Sequence, residues 1–470
     1  MKGLTFFLLL VSFSALHSQP VTLRDTTNQF DYIIITVPEF VSACEPFKQH
    51  KETVRDFRTL IVDTTQIFAE FDTSATPQDN IRNFISYAGT FWKEPRPKFF
   101  LIAGTVIMIP NFDIPFPGQP GVHLKSDYYY NLSIYENDST TTDFYIGRIP
   151  CKTENELDKY LSKVIAYENI NTLEGWMNNS LFICAEDINF RFLDAAFEVS
   201  EHLANYIRPY FIVDTDTSIY YGNLDSIYSA IENRGASFLW FEGHVSDSGF
   251  GNPNWFYLED LNGLSNYNKY FLTFFASSQN SIIDTNTNFT DQLMFLPDAG
   301  SIGGIAFVGP AYWGTGQTMQ HLWAERLFNQ SIQSVGESFV SDDIPPSGIY
   351  NYMKKIANLW ADPSLKLKYD TTVGVEEIVS ELPENFALFQ NYPNPFNPTT
   401  TIKFALPVAS NVKINVYNAL GQLVETLIDK EMESGYHEVN FDASKLSSGV
   451  YLYQLQASDY VSVKKMLLLK

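Results

Sequence analysis

Two apolar, aromatic-rich runs, Ala236 to Phe241 and Tyr270 to Ala276, constrain the fold of this chain more than any other feature. Neither keeps a regular polar/apolar alternation. Each therefore predicts a strand covered on both faces, the situation of strands in parallel sheets. Roughly 30 residues with a short helical pattern separate them, a length that suits a right-handed crossover between parallel neighbours. The first run continues into Glu242-Gly243-His244 and the second into Ser277-Ser278. Ligands of open α/β sheets bind at the carboxyl ends of the strands, so the spacing offers His244 and Ser277 or Ser278 to one crevice. A hydroxyl beside an imidazole is the minimum kit for acyl transfer.

The same grammar extends in both directions. Tyr32 to Val37 is a β-branched run, Phe47 to Phe57 has helical spacing, and Thr59 to Asp63 and Phe99 to Ala103 read as strands. Thr76-Pro77 predicts a helix start, with threonine as cap and proline in the first turn, where a missing N–H is harmless. Phe144 to Pro150 precedes a helix from Glu154 to Tyr167 that carries Leu157, Leu161, Val164 and Ile165 on one face. A second unit begins at Asn179, with strands expected at Leu181 to Ala185, Tyr210 to Val213, the two runs above, and Ser301 to Val308. The fold class is α/β, built as two abutting doubly wound subdomains at 19–170 and 171–370.

Around 371–385 the periodicity lapses into an acidic linker. Beyond it, Asn391-Tyr392-Pro393-Asn394-Pro395-Phe396-Asn397-Pro398 excludes helix and central strand, because proline lacks the ladder donor. Short alternating strands follow, including Val412 to Tyr417 and Gly449 to Leu455, separated by glycine turns. Residues 386–470 are expected to form a small all-β sandwich.

Composition narrows the partners. A formal charge of −23, from 31 basic against 54 acidic side chains, argues against nucleic acid and anionic membrane surfaces, which are recognised through basic patches. Residues 1–18 read as a signal peptide, with Lys2 before an apolar core, Leu4 to Phe13, that is too short to span a bilayer. Cleavage is expected after Ser18, with Ala15 as the alternative. No later stretch reaches the ~20 apolar residues of a transmembrane segment. Cys44, Cys151 and Cys184 are an odd set with neither CxxC nor metal-ligand spacing, and Cys184 reads as a small hydrophobe in a buried strand. No cofactor is expected. Acidic loops such as Glu136-Asn137-Asp138 offer oxygen ligands to calcium, without EF-hand spacing.

Particular residues carry two family resemblances. Asn391 to Thr400, Val416-Tyr417-Asn418-Ala419-Leu420-Gly421-Gln422 and Leu446-Ser447-Ser448-Gly449-Val450-Tyr451 resemble the sorting domain of the type IX secretion system of Bacteroidota-like bacteria. That resemblance implies passage across the outer membrane, removal of the domain, and a destination at the cell surface or beyond it. Asp31 to Val37, Phe99 to Gly104, Ser126-Asp127-Tyr128-Tyr129-Tyr130, Ile146-Gly147-Arg148-Ile149-Pro150, Gly243-His244 and Asp362-Pro363-Ser364-Leu365 are similar, in order and spacing, to the gingipain family of cysteine endopeptidases. The resemblance implies a caspase-like fold and a peptide or protein substrate.

It also implies that Gly243, His244 and Ser278 occupy the catalytic positions, with departures. The family's histidine is usually followed by glycine, whereas Val245 follows His244. Its nucleophile is a cysteine closing the next strand, and the matching stretch here is Ser277-Ser278-Gln279-Asn280-Ser281, with Ser278 as counterpart. The family's acidic residue after glycine is replaced by Thr105 after Gly104. A thiol becomes thiolate beside His, while a serine hydroxyl must lose its proton in the transition state. The resemblance further implies that Asp127 lines the primary specificity pocket and favours Arg or Lys substrates. The alternatives for it are a solvated loop aspartate or a calcium ligand. Arg148 is expected to be structural, pairing with a carboxylate or carbonyls between the subdomains, and Asp362-Pro363 reads as the turn that ends the sheet. The expected function is that of a secreted peptidase, exported by the type IX machinery and impaired by serine at the nucleophile position. The alternative is a surface pseudoprotease that binds peptide or protein without cutting it.

Overall fold

The computed structural model describes residues 21–369 and 386–468, apart from 75, 118, 120, 136–142, 185–211, 215–223, 243–244, 247–248, 252–253, 276–288, 310–318, 320–321, 328–331, 333, 340–347, 389–390, 392–395 and 459. The expected signal peptide, the acidic linker and the 136–138 loop lie outside the described residues.

The first half folds around strands β1 (Tyr32–Thr36), β2 (Thr59–Asp63), β3 (Phe99–Ala103) and β4 (Tyr145–Ile149), all parallel, in the order β2-β1-β3-β4. Every residue of β1 is buried, as its β-branched run requires of a strand covered on both faces. Helix α1 (Val41–Val54) follows β1. Helix α2 (Thr64–Phe71), absent from the sequence expectation, starts without any connecting residue. Asp63 is both the last residue of β2 and the cap of α2, its Oδ1 accepting from the backbone N–H groups of Thr65 and Gln66 at 2.8 and 3.0 Å. Helix α3 (Pro77–Phe91) begins as expected, with Thr76 Oγ1 accepting from Asp79 N. Helix α4 (Glu154–Glu168) buries Leu157, Tyr160, Leu161 and Val164 along one stripe.

The second half is a six-stranded sheet of β5 (Asn179–Cys184), β6 (Ile212–Asp214), β7 (Phe238–Glu242), β8 (Phe271–Phe275), β9 (Ser301–Phe307) and β10 (Ala357–Ala361), in the order β10-β9-β8-β7-β5-β6. All neighbours run parallel except β9 and β10. The two apolar runs are therefore adjacent parallel strands, with Phe241 opposite Phe275.

The two sheets meet where β4 approaches β10. Gly147 lies at that seam, and a Cβ there would come within 2.0 Å of the Ala361 carbonyl oxygen, so only glycine lets the strands pass. One apolar cluster runs through both halves, from Leu23 to Leu365. The tail has its own cluster, from Leu388 to Leu468. Its strands are β11 (Thr399–Leu406), β12 (Ser410–Asn418), β13 (Leu423–Met432), β14 (Gly435–Asp442), β15 (Gly449–Ala457) and β16 (Tyr460–Leu468). They form two antiparallel sheets, one containing β11 and β14 and the other ordered β13-β12-β15-β16, as the alternating pattern predicts.

Candidate active site

The carboxyl edge of the second sheet is a wall of rings. Phe241 and Phe275, facing residues of β7 and β8, stack with centroids 4.4 Å apart, and Phe289 meets both edge-on. One step below, Trp240 stacks on Phe274 and donates its Nε1–H to Ser180 Oγ at 2.8 Å. This packing fixes the register in which β7 and β8 end side by side. The chain also reverses direction here. From β5 it crosses to β6 on one flank, then returns to place β7 on the other, which makes the carboxyl ends of β5 and β7 a topological switch point. Gly243 and His244 follow the end of β7 directly, and Ser277 and Ser278 follow the end of β8. All four lie outside the described residues.

Asp127 is described, and it is buried. Both of its carboxylate oxygens accept from Arg148, Oδ2 from Nε at 2.6 Å and Oδ1 from Nη2 at 2.7 Å. Arg148 also donates through Nη1 to the Gly104 carbonyl at 2.9 Å. Burial opposes charge on this guanidinium, but the Asp127 carboxylate prevails and holds its pKa above the ordinary arginine value. Arg148 is thus structural, with a carboxylate and a carbonyl as its partners, but both belong to the first half, so it does not bridge the subdomains as expected. A substrate guanidinium reaching Asp127 would have to displace Arg148. The hairpin of Phe112–Pro115 and His123–Ser126 leads into this loop, and it is tied to the second sheet. Ser126 Oγ and Asp127 N both donate to Asn358 Oδ1 in β10, at 3.0 and 3.2 Å. Asn358 was not singled out in the sequence.

A second polar join lies at the opposite, amino-terminal edge of the sheets. Lys51 of α1 donates to Glu168 Oε1 and Oε2 of α4 at 2.8 and 2.7 Å and to Asp362 Oδ2, just after β10, at 2.6 Å. His50 and Arg55 add to Glu168 at 2.8 Å each, and Tyr32 donates its hydroxyl to Asp362 Oδ1 at 2.7 Å. Burial would raise the Glu168 pKa, but Lys51, His50 and Arg55 bring it down to about 2. Asp362 is thus more than a turn residue, because it closes a buried ion network between the halves. A sequence signal existed for this network. Cys44, Phe47 and Lys51 recur at helical spacing, which places Lys51 on the buried face of α1. Cys44 and Cys151 are buried free thiols, and burial pushes the Cys44 pKa up to about 12 and that of Cys151 higher, so neither is a ready nucleophile. Among the described residues no cluster of His, Cys, Asp and Glu is arranged to hold a metal ion.

Residues 25–368 match the sequence family described as peptidase family C25. The chain belongs to peptidase family C25. Residues 390–469 match the secretion system C-terminal sorting domain, the type IX signal that directs a protein to the cell surface or the extracellular space. The crystal structure of the Arg-specific cysteine proteinase gingipain R is similar in fold, at 18% identity and a TM-score of 0.60, over 93% of this chain and 98% of that one. A complex of the pro- and mature domains of RgpB from Porphyromonas gingivalis gives 18% identity and a TM-score of 0.59, over 93% and 100% of the two chains. A structure described only as a protease gives 14% identity and 0.57, over 95% and 98%. No curated protein sequence matches the chain. A peptidase family member with this tail has protein as its substrate class and the type IX machinery as its export partner. Among the described residues no helix is long and apolar enough to cross a membrane.

Proposed function

We propose that this exported C25 member is a peptidase whose hydrolysis is impaired, with Ser278 in the nucleophile position and His244 in the base position. The adjacency of the β7 and β8 carboxyl ends supports this reading, since His244 lies two residues beyond one end and Ser278 three beyond the other. The chemistry supplies the impairment. Imidazole readily holds a thiolate as an ion pair, but a serine needs its proton taken in the transition state by a base that a buried carboxylate orients.

A fluorogenic peptide panel on the purified protein tests this. Wild type is expected to cleave little, Ser278→Cys to raise cleavage, and His244→Ala to abolish that gain. General-base and nucleophile contributions each span several orders of magnitude in rate. Robust wild-type hydrolysis that vanishes in Ser278→Ala would show a working serine nucleophile and overturn the reading. The same serine favours a second reading, a surface protein that binds peptides without cutting them. Under that reading, panel peptides bind by fluorescence polarisation and Ser278→Cys gains no turnover.

A further inference from the structure

The sorting tail carries an apolar corner on the outer face of one of its sheets. Along β12 and β15 the inward residues Val416, Tyr451 and Tyr453 fill the core. The outward residues between and beside them are apolar as well. Tyr417 lies opposite Leu423 on one side and Leu452 on the other, and Val450 lies opposite Leu467. Five apolar side chains thus form a contiguous patch at one end of the outer sheet face, where alternation would ordinarily place polar groups. Leu423 is 57% exposed and Val450 41%.

The turn beside this patch displays one more. Asn418 Oδ1 accepts from Leu420 N and Gln422 N at 3.0 Å each, and Asn418 Nδ2 donates to Gln422 Oε1 at 2.8 Å. Gly421 takes φ +76°, a conformation open to glycine, and donates its N–H to the Asn418 carbonyl. This bonded turn fixes Leu420 in a position 83% exposed to solvent. A leucine on a rigid turn beside an apolar patch has the form of a preorganised binding knob, with little entropy left to lose on docking.

Charge indicates the kind of partner. Residues 386–470 hold seven lysines and seven carboxylates, so the formal charge of −23 belongs to the rest of the chain. A neutral domain is read by shape and apolar contact rather than by steering. We propose that Tyr417, Leu420, Leu423, Leu452, Val450 and Leu467 form the surface by which a protein receptor of the export machinery captures the tail, with Leu420 entering an apolar pocket.

The test uses the full-length chain in a host that exports it. Leu420→Asp and Val450→Asp, singly and together, are compared with Glu433→Ala, an exposed substitution off the patch. The double variant is expected to fall about tenfold or more at the cell surface and to accumulate in the periplasm, the scale of losing two central anchors. Its tail is expected to melt as in wild type. Should the aspartates unfold the tail, Leu420→Gln and Leu423→Gln decide, since both positions lie outside its core. Export at the control level with a folded tail overturns the proposal. So does undiminished export accompanied by loss of self-association in sedimentation, or by loss of binding to phosphatidylglycerol vesicles, which would assign the corner to a second copy or to lipid. The readout is exported protein, so it stands whether or not the α/β unit hydrolyses peptides.

Discussion

Lys51→Met probes the join between the two halves directly. The methionine keeps the volume of the buried stem but leaves Glu168 and Asp362 without the ammonium that bridges them at 2.6–2.8 Å. Glu168 retains Arg55 and His50, whereas among the described residues Asp362 retains only neutral donors, Tyr32 and Ser364. Breaking one partner of a buried pair typically costs about 3–5 kcal/mol, and Asp362 is the group left most exposed to that cost. For a cooperative unit the size of residues 21–369 this corresponds to a loss of about 4–7 °C in Tm. Differential scanning calorimetry of the full-length protein measures it, with the tail's transition as internal reference because its core is separate. Lys51→Met/Asp362→Asn is expected to recover part of the loss, since it removes the uncompensated charge. A shift below about 1 °C in Lys51→Met, or full additivity in the double variant, would show that the network does not hold the halves together.

Three further outcomes follow from the geometry. Lys163 is buried, with carbonyls of Leu293, Ala299 and Ser301 at 3.4, 2.9 and 3.0 Å from its Nζ, and burial, opposed by Asp298, lowers its pKa to about 7. The unfolded chain keeps that proton up to its ordinary pKa of 10.5. Stability measured by urea melts is therefore expected to rise from pH 7 to about 9.5, and a flat profile, or one unchanged in Lys163→Met, would contradict this. Asp127→Asn is expected to lower Tm by several degrees, because it leaves Arg148 buried without its carboxylate; unchanged Tm with altered Arg or Lys selectivity would instead assign Asp127 to the substrate pocket. The full chain is expected to unfold in two calorimetric transitions, one for each apolar cluster, and a single cooperative melt would count against independent cores.

Much of the architecture was legible because its signals are local. The buried runs at β1, β7 and β8, the Thr76-Pro77 helix start and the alternating tail each specify an element from its own residues. Helix α2 escaped because Asp63 serves the strand and the helix at once, leaving no linker residues to mark a boundary. The Lys51–Asp362 pair escaped for a different reason. Its residues are 311 positions apart, and no period or spacing links them. Arg148 could be given a structural role from sequence, but the choice of Asp127 as its partner needed the fold.

The hydrogen bond from Tyr32 to Asp362 spans 330 residues, almost the whole α/β unit. Until the strand before Asp362 has been made, the first half holds a lysine on the buried face of α1 with half of its countercharge missing, and the seam beside Gly147 has nothing to press against. The early part of the chain is thus denied a finished native state of its own, and closure awaits contacts of very long range, which form slowly. The α/β unit is therefore expected to fold as a whole, because the last charge of its buried network arrives with the last strand of the second sheet.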